Sequence, residues 1–140
     1  MEVVFTDTHD TLLDGRYLIL RRLGQGAFGE VFLTRHVGLG VYRAVKRIRK
    51  SKDVHNTRRK EADALKNLRH TSLPIIYDID EDDVYFYIVE EYIEGISLSE
   101  YVRDRTRLAQ DETCGIIMSI CTVLSYMQTQ AGLLHLDIKP

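Results

Sequence analysis

The chain has 140 residues, 44% of them apolar and 29% charged, with only two prolines. That places it among soluble globular chains long enough to bury one core, and no internal repeat or low-complexity tract interrupts it. Its 19 basic and 21 acidic residues give a formal charge of -2, so no global field draws it to nucleic acid or to an anionic membrane surface.

Residues up to about Gly15 read as a flexible lead-in. The segment Met1–Asp10 carries acids and lacks the basic-then-apolar order of a signal peptide, and no apolar run is long enough to cross a bilayer. Tyr17–Leu23, Glu30–Arg35 and Val41–Ile48 have strand character. They are set apart by Gly24, Gly26 and Gly29 at one turn and by Gly38 and Gly40 at the next, which predicts an antiparallel meander of three strands.

From Asn56 to Arg69 the apolar spacing becomes helical, with Ala62, Leu65 and Leu68 on one face. Pro74 breaks the chain. Two further strands are predicted at Ile75–Ile79 and Val84–Val89, joined by the acidic turn Asp80–Asp83. Ser97 or Ser99 caps a short helix running to Val102, and a long helix is predicted from Asp111 to Gln128, ending before Gly132. Cys114 and Cys121 fall two turns apart on that helix, too far for a disulfide, so a reducing, cytoplasmic setting is expected. His9, His36 and His55 have no cysteine or carboxylate at ligand spacing, and no metal site is expected of them. The basic clusters Lys46–Lys52 and Arg58–Lys60 read as solvated faces.

The segment Leu23-Gly24-Gln25-Gly26-Ala27-Phe28-Gly29-Glu30-Val31 carries a GxGxxG pattern. In a dinucleotide site such glycines open a helix, whereas here Val31, Phe32, Leu33 and Thr34 continue as a strand. A hairpin fits better, and glycines in it let backbone N–H groups approach phosphates. An ordinary flexible hairpin accounts for the segment equally well when it is taken alone. Ala44 and Lys46, two apart on the third strand, share one sheet face. A small residue there leaves room for a flat base, and an inward lysine can meet phosphate oxygens.

Glu61 shares the helical stripe of Leu65 and Leu68, which puts a carboxylate on a face expected to be buried. It either pairs with a cation, for which Lys46 is the candidate, or sits at the stripe's margin and reaches water. Beyond the long helix, Asp137 and Lys139 are spaced so that the carboxylate can receive a hydroxyl proton while the lysine faces a transferring phosphate. The hexapeptide His135–Pro140 alone also reads as a capping turn.

Taken in order from Asp14 to Pro140, these motifs resemble the eukaryotic-type protein kinase family. The lead-in Asp14-Gly15-Arg16-Tyr17 and the wording of the His135–Pro140 loop are most similar to its bacterial Ser/Thr branch. The resemblance implies an α+β fold with a lead-in at 1–13 and an N-lobe over 14–90, made of a five-stranded antiparallel sheet and one helix. A hinge at 91–96 and the first helices of a C-lobe over 97–140 follow. It implies ATP as the nucleotide, with Leu23, Val31 and Ala44 packing on adenine, the main chain of Glu91 and Ile93 bonding to it, and Ser97 near the ribose. Gly24, Gly26, Gly29 and Lys46 would hold phosphates, Glu61 would orient Lys46, and Asp137 and Lys139 would serve the transfer to a protein hydroxyl. The magnesium ligands, activation loop and substrate-binding helices would lie beyond Pro140, so activity is expected of the full-length protein and not of this piece alone.

Two departures stand out. Leu136 occupies the place of an arginine that pairs with a phosphorylated activation loop in many members. Glu90 stands at the back of the adenine pocket, where an apolar residue is usual; it is hydrogen-bonded, protonated or turned outward, and the sequence does not choose. A non-catalytic nucleotide-binding or interaction module on a truncated kinase fold is the competing reading. The long helix carries two adjacent apolar stripes, Ile116, Ile120, Val123, Met127 and Ile117, Cys121, Leu124. That surface is too wide for one covered side, so the fragment is expected to form a homodimer through the helix at 111–128.

Overall fold

A computed structural model describes residues 10–26, 29–50, 60, 62–103, 107–135 and 138. The chain divides into two units, Met1–Asn67 with Ile75–Tyr92 and Leu68–Pro74 with Ile93–Pro140.

The first unit is a six-stranded antiparallel sheet. Its strands are β1 (Thr11–Leu12), β2 (Tyr17–Gly26), β3 (Gly29–His36), β4 (Tyr42–Arg49), β5 (Ile76–Glu81) and β6 (Tyr85–Glu91), in the spatial order β1-β2-β3-β4-β6-β5. The five expected strands are all present, each within a few residues of its predicted bounds. Residues 10–15, expected as a loose lead-in, instead supply the sixth strand: Thr11 and Leu12 pair with Leu18 and Tyr17. Positive φ at Leu13, Asp14 and Gly15 turns the chain back on itself, and Leu12 is 5% exposed. The burial of that one leucine against Tyr17 and Val45 is what ties the segment down.

Strand alternation sorts the sheet into two faces. On one, Tyr17, Phe32, Val45, Tyr87 and Val89 form the main core. On the other, Ile48 and Phe86 pack against Ala62, which is 1% exposed, with Ile79 and Ile88 beside them. Ala62 belongs to a helical turn over 62–65 that gives way to a turn at 66–67, earlier than the Arg69 limit predicted from spacing. The acidic turn between β5 and β6 is organised by Asp82, whose carboxylate accepts the N–H groups of Val84 and Tyr85 and the Tyr87 hydroxyl.

The second unit holds α1 (Leu98–Arg103) and α2 (Gln110–Ala131). Ser97 is the residue that caps α1. Its hydroxyl accepts the Glu100 N–H at 3.1 Å while the Glu100 carboxylate accepts the Ser97 N–H at 2.9 Å, a reciprocal capping box. α2 runs three residues past its predicted end and stops at Gly132, whose left-handed backbone (φ 63) lets its N–H reach the Gln128 carbonyl. On α2, Val123 and Met127 are buried, whereas Ile117 and Met118 are 54% and 69% exposed. The Tyr101 hydroxyl donates to Glu112, and Tyr126 accepts the Arg69 N–H while its ring packs on His70.

Candidate functional site

The glycine-rich segment is a hairpin. β2 and β3 stay paired up to the turn, with Gly24 opposite Val31, Gln25 opposite Glu30 and Gly26 opposite Gly29. The glycines therefore end one strand and begin the next, which removes the dinucleotide-type alternative. Two register shifts in β2, between Ile19 and Arg21 and between Arg22 and Gly24, add local twist as the strand approaches the turn. Gly29 has a positive φ of 142, a conformation that residues with a Cβ rarely adopt, and a Cβ there would overlap the Arg47 carbonyl oxygen. Only glycine lets β3 begin this close to β4.

The ladder then brings the predicted groups onto one face. Val31 pairs with Lys46 and Leu33 with Ala44; Ala44 pairs with Glu90 and Lys46 with Ile88. Cross-strand partners project to the same side, so Val31, Ala44, Lys46 and Glu90 line a common surface. Ala44 is 6% exposed and contributes only a methyl to the face it shares with Lys46. Leu23 is partly exposed at the β2 register shift, and Gly24 and Gly26 have open space where a side chain would go.

Behind this face, on the core side, Glu30 anchors the hairpin. Its carboxylate accepts from the Arg47 guanidinium at 2.7 Å and from Arg22 at 3.3 Å, and the Arg47 bond holds it below the usual carboxylate range. Arg47 in turn lies over the rings of Phe32 and Tyr85, 4.9 Å from each. Sequence reasoning missed both residues. Their strand positions can be read from the sequence, but their pairing depends on the β3–β4 register.

Glu90 is half-buried and makes no side-chain hydrogen bond among the described residues. Burial pushes its carboxyl up, and the Lys46 charge pulls it partly back. The β4–β6 register places it on the Lys46 face. Glu91 points elsewhere: its N–H donates to the Ile75 carbonyl at 2.8 Å and its carboxylate accepts the Ile75 N–H at 3.2 Å. Any contact Glu91 makes with a base is left to its main chain.

Ile93, 63% exposed, and Ser97, whose hydroxyl also donates to Glu100, belong to the second unit. Glu61, Asp137, Lys139 and Leu136 lie outside the described residues. Among the described residues no group of three or more His, Cys, Asp or Glu side chains is arranged to hold a metal ion.

An antiparallel sheet with a glycine hairpin at one end, and a lysine two residues from a buried alanine on a shared face, matches the N-lobe of a kinase domain. The chain belongs to the protein kinase family: the family model "Protein kinase domain" matches residues 17–140. It is 33% identical over 132 residues to Serine/threonine-protein kinase PrkC of Bacillus subtilis (strain 168), an alignment covering 91% of this chain and 20% of that protein. It is 32% identical over 137 residues to Serine/threonine-protein kinase D of Synechocystis sp., covering 89% of this chain and 26% of the relative. Among solved structures it is similar to the Mycobacterium tuberculosis PknI kinase domain, with TM-score 0.76, 27% identity, and coverage of 89% of this chain and 53% of that one. It is also similar to Rad53 1-466 in complex with AMP-PNP, with TM-score 0.80, 30% identity, and coverage of 91% and 34%. The chain thus spans a fifth to a quarter of these curated relatives and about half of the PknI kinase-domain chain. Among the described residues, no helix is long and apolar enough to cross a membrane.

Proposed function

We propose that this chain is the ATP-binding part of a protein Ser/Thr kinase whose full-length form transfers the γ-phosphate of ATP to a hydroxyl of a protein substrate. The observation that carries the reading is the register that sets Val31, Ala44, Lys46 and the glycine hairpin on one face. The similarity to a kinase structure with AMP-PNP supports an adenine nucleotide as the ligand. In this scheme Leu23, Val31 and Ala44 pack on the base, the main chain of Glu91 and Ile93 bonds its edge, and Ser97 lies by the ribose. Gly24, Gly26 and Gly29 admit the phosphates to backbone N–H groups, and Lys46, oriented by Glu61, holds them. The substrate oxygen attacks the γ-phosphorus as the bond to the β–γ bridging oxygen breaks. Asp137 takes the hydroxyl proton, and Lys139 offsets charge on the transferring group. The resemblance assigns the magnesium ligands to residues past Pro140, so the 140-residue chain alone is not expected to turn over. Cys114 and Cys121, both free, support a reducing, cytoplasmic setting for this segment.

Lys46→Met in the full-length protein tests the reading. Transfer to protein substrate is expected to fall by at least about a hundredfold with the fold retained, the order lost when one preorganised charge is removed from a transfer site. Undiminished turnover removes Lys46 from the site.

The exposure of Ile117 and Met118 on α2 favours a second, compatible element: the chain self-associates through that helix as a symmetric dimer.

A further inference from the structure

Lys46 and Glu90 occupy adjacent strands on the same face, one step out of register. Lys46 is opposite Ile88 and Glu90 is opposite Ala44. That makes the two charges diagonal neighbours, which in antiparallel sheets lie roughly 7–8 Å apart and within reach of long side chains. No direct ion pair joins them among the described residues, but the Lys46 charge acts on the Glu90 carboxyl.

The surroundings offer Glu90 little else. On its own face its near neighbours are Ala44, Ile76 and Ile88, with Val31 and Leu33 on β3 beyond. Of the other charges on that face, Lys50 bonds Glu81 at 3.0 Å, Arg35 donates to the Gly40 carbonyl, and Arg21, opposite Leu33, donates to the Tyr92 hydroxyl at 3.5 Å. At the helical turn, Lys66 and Asp63 bond each other at 3.0 Å. Arg43, Arg47 and Glu30 alternate to the opposite face, and the Glu91 carboxylate is held by Ile75.

We propose that Glu90 is the counter-ion of Lys46 when no nucleotide is bound, and that nucleotide phosphates take the lysine from it. This rests on the reading of Lys46 as a phosphate-holding residue. Once Lys46 turns to phosphate, Glu90 loses its one nearby cation among the described residues and gains an anion in the neighbourhood. A half-buried carboxylate so placed takes up a proton. Its midpoint is then higher in the bound state than in the free state. Binding is therefore tightest below both midpoints and weakens as pH rises between them, by at most about tenfold per pH unit for one proton. Glu90 acts here as a positioning residue, setting how readily Lys46 is released to the nucleotide.

Calorimetric titration of the full-length protein with magnesium AMP-PNP and with adenosine, in buffers of different ionisation enthalpy between about pH 5 and about pH 8, tests this. Net uptake of up to one proton is expected with AMP-PNP and little or none with adenosine, which brings no phosphate to Lys46. Glu90→Gln is expected to abolish the Glu90 part of the uptake and to flatten the pH dependence of affinity. Titration of the nucleotide's own phosphate is common to both proteins and cancels in the comparison. AMP-PNP binding with the same proton uptake or release in the parent and in Glu90→Gln overturns the inference while leaving the nucleotide reading intact. A protein that binds neither ligand overturns the nucleotide reading, and this inference with it.

Discussion

Gly29 lies directly against the backbone of Arg47: a methyl on its Cα would overlap the Arg47 carbonyl oxygen and stand 3.1 Å from the Ile48 Cα. The obstacle is main chain, which cannot swing aside, and the φ of 142 is itself unfavourable for any residue with a Cβ. Gly29→Ala is expected to destabilise the protein by at least about 2 kcal/mol, read as a shift in the urea midpoint. Gly24 has nothing within 4 Å of a built Cβ. Gly24→Ala should change stability by less than about 1 kcal/mol, so any loss of AMP-PNP affinity in that variant reports on the phosphate site. Equal destabilisation by the two substitutions would contradict the close approach.

Glu90 should cost stability at neutral pH. Burial raises its carboxyl in the folded chain above the unfolded value, so the folded state binds more protons across that interval. The cost is absent below the ordinary carboxylate range and grows as pH rises toward the folded midpoint. Glu90→Gln is therefore expected to be more stable than the parent at about pH 8, with the gain shrinking toward about pH 4. A thermal-melt series across that range checks it; a gain that does not depend on pH would mean that packing, not ionisation, separates the two.

Ser97, as the residue that caps α1, should stabilise the second unit. Hydrogen bonds from the Ser97 backbone and side chain hold the Glu100 carboxyl below its usual range. The box is intact above that range and weakens as pH falls through the lowered midpoint. Ser97→Ala is expected to lower the melting temperature by a few degrees at neutral pH, with a smaller difference in acid. If Ser97 also meets the ribose, adenosine affinity will fall in the same variant, whereas Glu100→Gln, which leaves the serine in place, should spare it.

On α2, Ile117 and Met118 each leave a large apolar side chain in water, forgoing roughly 1.5–3 kcal/mol apiece of burial. The 140-residue chain is expected to sediment as a dimer at tens of micromolar, and Ile117→Asp, at an exposed position, to give a folded monomer. A monomer before mutation would remove the self-association reading.

Local pattern determined much of this protein. Period-two alternation and glycine punctuation located all five long strands, and the two-residue spacing put Ala44 and Lys46 on one face, because side-chain direction within a strand is a property of the strand itself. The SxxE spacing contained the α1 cap, though the sequence left Ser97 and Ser99 open. Only tertiary structure decided what lies across from what. That Glu90 is the diagonal neighbour of Lys46, and that Glu30 meets Arg47 behind the hairpin, depends on strand registers fixed by core packing between segments far apart in the chain. The pairing of Thr11 and Leu12 was hidden for a related reason. Two residues carry no period, and what holds them is a turn through positive φ together with the burial of Leu12 in a core that the rest of the sheet supplies.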